Sequence, residues 1–150
     1  MTSHKSRGFT LVELMITIAV LAIGSALAYP SFSSVLRSNR VATSTNNVIA
    51  AVNLARSEAI RNNRGGGICP SNAGTQCDGV EWNVGYLAYS DADASGGWSA
   101  GDTAIRYFEP NGALELTVIA NGGGVTQLLF RRSGGTNVEG TLNLKVGDCK

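Results

Sequence analysis

Residues Gly8 to Tyr29, GFTLVELMITIAVLAIGSALAY, form one apolar run interrupted by a single acid, Glu13. Phe9 to Tyr29 contains no Lys or Arg and matches the ~20 residues a helix needs to cross ~30 Å of hydrocarbon. A chain with such a run must place it in lipid or against other apolar helices. The leader Met1–Gly8 carries Lys5 and Arg7, and the positive-inside bias then keeps the N-terminus cytoplasmic and sends the remainder outward. Ala26-Leu27-Ala28 resembles the small-x-small site of an ordinary secretory signal, but that reading leaves Glu13 unexplained.

A carboxylate inside a spanning helix costs roughly 2.5–3.5 kcal/mol at mid-bilayer on insertion scales. Glu13 lies four residues from Phe9, about 6 Å along a helix, so snorkelling to the headgroups is one source of relief. A positive partner is the other. Cleavage after Gly8 would leave the α-amino group of Phe9 as a cation at the helix start, where it could neutralise Glu13 of a neighbouring subunit.

Gly8-Phe9-Thr10-Leu11-Val12-Glu13-Leu14 resembles the class III signal of type IV pilins and type II secretion pseudopilins. The resemblance covers the first ~30 residues. It implies cleavage between Gly8 and Phe9 by a prepilin peptidase, N-methylation of Phe9, and subunit registration through Glu13. It also implies a helix bent at Pro30, an inner-membrane anchor before assembly, and other pilins or pseudopilins as partners.

The chain has 150 residues, so loss of the leader and the anchor leaves material for one modest core. Removing Lys5 and Arg7 from the 12 basic residues leaves 10 against 11 acidic ones, and net charge alone argues against a polyanion partner. The only histidine is His4, in the leader. The mature chain then lacks the imidazole that Ser-His-Asp, Cys-His and His-ligated zinc schemes need, and no carboxylate spacing marks an acid/base pair. The expectation is a non-enzymatic protein without a cofactor.

After Pro30 a helical pattern continues to about Asn63, with Val41, Thr45, Val48, Val52, Ala55 and Ala59 on one face. Gly65-Gly66-Gly67 reads as its end. Strand-like runs follow at Gly67–Cys69, Val80–Tyr89, Thr103–Glu109, Ala113–Ala120, Val125–Arg131 and Thr141–Val146. Pro110 to Gly112, Asn121 to Gly124 and Ser133 to Gly135 read as hairpin connections. The fold class is α+β: one long helix on an antiparallel sheet, the type IV pilin layout. The expected divisions are leader 1–8, apolar helix 9–29, amphipathic helix 30–64 and β head 65–150.

Within that superfamily the head is most similar to the FimT/FimU and GspH group. The residues carrying this are Ala55-Arg56-Ser57-Glu58-Ala59-Ile60, Cys69-Pro70-Ser71 with Cys77, Trp82-Asn83-Val84-Gly85-Tyr86, Asp91-Ala92-Asp93 and Phe130. Three cysteines outside the cytoplasm leave one over. Cys69 with Cys77 is the favoured pair, worth ~2.5 kcal/mol on the chain-entropy estimate; Cys149 is then free, or replaces one of them across the sheet. Asp91, Asp93, Ser95 and Asp102 match part of an EF-hand spacing with Gly96 at position 6. Flanking helices are absent and position 12 is Asp, so an ordinary polar turn is preferred over calcium. Some FimT-like pilins bind DNA through a C-terminal Arg motif that has no counterpart here. Arg131 and Arg132 remain as candidate phosphate contacts, against the simpler role of a charged strand edge.

The resulting expectation is a minor subunit of a type IV pilus, in a tip complex that primes assembly. A type II secretion pseudopilin of GspH type and a DNA-binding competence pilin are the alternatives.

Overall fold

The computed structural model describes residues 8–78, 81–109, 114–120, 123–136 and 140–146. In chain order the elements are α1 (Leu11–Asn62), β1 (Gly65–Pro70), a 3-10 turn (Trp82–Val84), β2 (Tyr86–Asp91), β3 (Thr103–Phe108), β4 (Leu114–Ala120), β5 (Gly123–Gly124), β6 (Leu128–Arg131) and β7 (Gly140–Val146). The architecture is α+β with antiparallel strands, as in type IV pilins. The chain falls into two compact units, Met1–Asn39 and Arg40–Lys150.

In the first unit α1 is apolar on every side from Leu11 to Ile23 except at Glu13 and Thr17. Leu11, Val12, Leu14, Met15, Ile16, Ile18, Val20, Leu21 and Ile23 are all exposed, which is the pattern of a helix made for a nonaqueous environment. Among the described residues no helix is long and apolar enough to cross a membrane. Pro30 lies within α1, which continues past it.

In the second unit two sheets form, ordered β3-β2-β1-β6 and β5-β4-β7. The core joins the end of α1 to the first sheet: Val48, Ala51, Ala55 and Ala59 pack with Ile68, Tyr86, Ala88, Leu128 and Phe130. Ala51 belongs to the buried stripe, whereas Thr45, expected on it, is exposed and returns its hydroxyl to the Val41 carbonyl. The stripe is small because the sheet comes close. A Cβ on Gly66 would stand 2.7 Å from the Ala55 carbonyl oxygen.

That approach corrects the reading of Gly65-Gly66-Gly67. These glycines do not end α1 but form the buried start of β1. The helix ends at Asn62, and Asn63 takes a left-handed φ of 55°, a conformation asparagine tolerates. The Asn62 amide nitrogen donates to the Gly65 carbonyl (2.8 Å) and the Ser90 hydroxyl (2.7 Å), tying helix end to sheet.

The expected strand Val80–Tyr89 is also shorter in the structure. Val80 lies outside the described residues, Trp82–Val84 make a 3-10 turn, and Gly85 at φ 117° separates it from β2. Tyr86 and Ala88 join the core against α1. Leu87 and Tyr89 form a second cluster with Cys69, Cys77, Trp98 and Tyr107. Sheet residues on both faces are therefore buried, and β2 has no exposed side.

Val125–Arg131 resolves into a loop and the shorter β6, and Gly123–Gly124 pair with β4 rather than only turning the chain. The turn at Ser133–Gly135 is present: the Arg131 amide donates to the Gly135 carbonyl, and the Gly134 amide to that of Arg131. The expected turn at Pro110–Gly112 lies outside the described residues.

Candidate functional site

The processing motif sits at the start of α1. Phe9 is 81% exposed, so the Gly8–Phe9 bond flanks an open helix end. Thr10 precedes the first helical residue, and Glu13 is its third. The Glu13 amide donates to Thr10 Oγ1 at 3.3 Å, and the Thr10 amide and hydroxyl both donate to Glu13 Oε2 at 3.4 Å. This is a reciprocal capping box: each side chain serves the other's backbone amide. The T-x-x-E pattern in Thr10-Leu11-Val12-Glu13 was legible in the sequence as a cap, a role separate from the registration expected of Glu13. It gives the carboxylate local hydrogen bonds and a place near the positive end of the helix dipole.

The Cys69–Cys77 disulfide is present, with Cα atoms 5.6 Å apart. Cys149 lies outside the described residues. Buried Ser71 holds the bridged loop: its amide donates to the Gly85 carbonyl and its hydroxyl accepts from the Gly74 amide, both at 2.9 Å.

Asp91, Asp93 and Asp102 converge, with one oxygen from each within 4.8 Å of the others. Every carboxylate oxygen of the three accepts a hydrogen bond. Asp91 takes the Ser95 and Gly96 amides; Asp93 takes the Ser95 amide and the Ser99 hydroxyl; Asp102 takes the Ala92 and Ser99 amides. Hydrogen bonds from Ser95 and Ser99 hold the Asp93 carboxyl down at about 2. Ser95 joins the cluster through both its hydroxyl and its amide, and the hydroxyl also stands 3.1 Å from the Gly97 carbonyl. The geometry is that of a stitched turn.

Arg131 ends β6 and Arg132 lies in the following turn, both exposed. They line an open cleft of about 520 Å³ with Arg64, Asn63, Asp91 and Phe130. The Arg64 guanidinium is engaged by the Ala92 carbonyl, and Asp91 places a carboxylate in the same cleft. Sequence reasoning did not connect Arg64 to the pair, because the two are far apart in the chain and only the β1–β6 pairing, with Gly65 opposite Arg131, brings them together.

A helix led by a Gly-Phe-Thr-Leu-Val-Glu motif and closed by an antiparallel head defines a pilin-like subunit. The model of the family described as type II transport protein GspH matches residues 44–149, and that of the prokaryotic N-terminal methylation motif matches residues 3–29. The chain belongs to the GspH family, within the pilin and pseudopilin group. Processing by prepilin peptidase and assembly with other pilins or pseudopilins follow from these families. No curated protein and no solved structure matches the chain.

Proposed function

We propose that the chain is a minor, non-enzymatic subunit of a type IV pilus that helps form the tip complex priming assembly. The observation carrying this reading is the exposed apolar surface from Phe9 to Ile23 behind a cleavable leader. In water that surface is penalised at ~25 cal/mol per Å², so the segment requires lipid before assembly and neighbouring helices afterward. The head is proposed to face the periplasm and then the exterior. Pro30 is the proposed bend, because proline leaves one backbone carbonyl of the helix unbonded. A clean deletion, scored for sheared surface pili and for secreted proteins beside a complemented control, tests the assignment. Loss of pili with normal secretion is expected.

The matching family's description as a type II transport protein favours one second reading: a type II secretion pseudopilin. The same deletion would then leave pili intact and abolish secretion of its exported proteins. DNA contact through Arg131 and Arg132 is a subsidiary proposal. Its test is a salt-sensitive shift of labelled DNA, lost when both arginines are changed to glutamate.

A further inference from the structure

The second sheet has an edge that its own strands leave open. β4 pairs with β7 along its whole length, from Leu114↔Val146 to Ala120↔Gly140. On its other side it meets β5 only at Ile119↔Gly124 and Ala120↔Gly123, with one more bond from the Val125 amide to the Val118 carbonyl at 3.1 Å. The N–H and C=O of a residue in an antiparallel strand point to the same side, and the side alternates along the chain. Val118 bonds toward β5, so Leu116, two residues earlier, turns its amide and carbonyl the same way. No described strand stands there.

That side of β4 opens into a cleft of about 510 Å³ between the strand and the 3-10 turn. Its apolar wall includes Trp82, Leu116, Val118 and Val125, and the Trp82 indole donates to the Val125 carbonyl at 2.8 Å, fixing the far side. Exposed Glu81 and Glu115 also line it, and among the described residues no lysine or arginine does. Lys145 stands opposite Glu115 in the β7 register, so Glu81 carries the larger share of the acidic character.

We infer that the Leu116 edge of β4 receives an extended segment of another protein, which adds a strand to the second sheet, with apolar and basic residues alternating along it. The alternation follows from the host strand. A paired strand places successive side chains on opposite faces. One set would lie beside Leu116 and Val118, the other beside Glu115 and Thr117. The filament-subunit reading enters only in making a neighbouring subunit the natural donor of that segment.

The test uses the full chain in detergent micelles and a blocked six-residue peptide of alternating valine and lysine, with an alternating valine–glutamate peptide as control. Amide hydrogen exchange at Leu116 is the readout. The expected result is at least tenfold slowing by the valine–lysine peptide, none by the control, and at least tenfold weaker binding after Glu81→Gln with Glu115→Gln. Both glutamates are exposed, so the double variant should keep its fold, checked by unchanged protection of Ala88. Unchanged exchange at saturating peptide overturns the inference, and so does an equal response to both peptides. Protection that grows with chain concentration alone would assign the edge to a second copy and overturn the proposed occupant. None of these outcomes bears on whether the chain enters a filament.

Discussion

Two stretches of α1 obey opposite rules. From Leu11 to Ile23 the side chains are large, apolar and exposed; from Val48 to Ala59 the inward positions are mostly alanine and buried. Residue hydrophobicity alone would rank them the wrong way round for burial within the chain. The first stretch carries its apolar area for a solvent or partner outside the molecule, whereas the second gives up side-chain volume so that backbone can meet backbone at Gly66. Local helix geometry is shared, and the surroundings decide what each face is for.

The comparison breaks most visibly at Gly66. Gly66→Leu should lower head stability by about 3 kcal/mol, because the new side chain must displace the Ala55 carbonyl or the sheet. Urea unfolding followed by Trp fluorescence measures it. Ile16→Ser, in the exposed stretch, should leave the same midpoint unchanged; equal losses for both variants would erase the distinction.

Cys77→Ser should cost about 2.5 kcal/mol by releasing the loop that covers Leu87 and Tyr89. The same unfolding measurement, with reducing agent added to the unmodified chain as a second route, checks it.

The head should also respond to pH. Burial raises the Tyr86 hydroxyl to about 12, so its contribution is complete below about pH 10, the usual tyrosine value, and is lost as pH rises toward 12. Tyr86→Phe should flatten that alkaline fall in thermal scans. Asp93 has the opposite sign. Its lowered pKa gives a contribution present above about pH 4 and lost toward about 2. This is the smallest effect, because the group is exposed, and Asp93→Asn should reduce the acid limb only slightly.

The N-terminal unit was legible because its logic is local. Cleavage motif, apolar run and buried-charge problem all sit within one stretch of sequence, though the Thr10–Glu13 cap went unread beside them. The head was only partly legible because its decisive contacts join distant residues. Gly65 to Gly67 read as a helix stop, since nothing nearby in sequence announces the Ala55 carbonyl or the Tyr89 ring against which they lie. Thr45 fitted the helical period as well as Ala51 did, and only the position of the sheet separates them. Trp82 and Val84 alternate as a strand would, but Gly85 turns the chain before pairing begins. The i, i+3 pair Glu58–Arg61, at 2.7 Å, joins residues one helical turn apart and was within reach of the sequence.

The β1–β6 pairing, Gly65↔Arg131 to Ile68↔Leu128, also sets a timetable. Synthesis delivers α1 and β1 first, and β2 and β3 can join them early because each is close in sequence. Leu128 and Phe130, which complete the cover over the alanine face, lie roughly sixty residues beyond β1, and closing so long a loop is slow. Throughout that interval the nascent head presents an uncovered edge of β1 and bare glycine backbone. A folding helper active on this chain would meet that edge, and a truncation just before Leu128 would hold the head in that state for study.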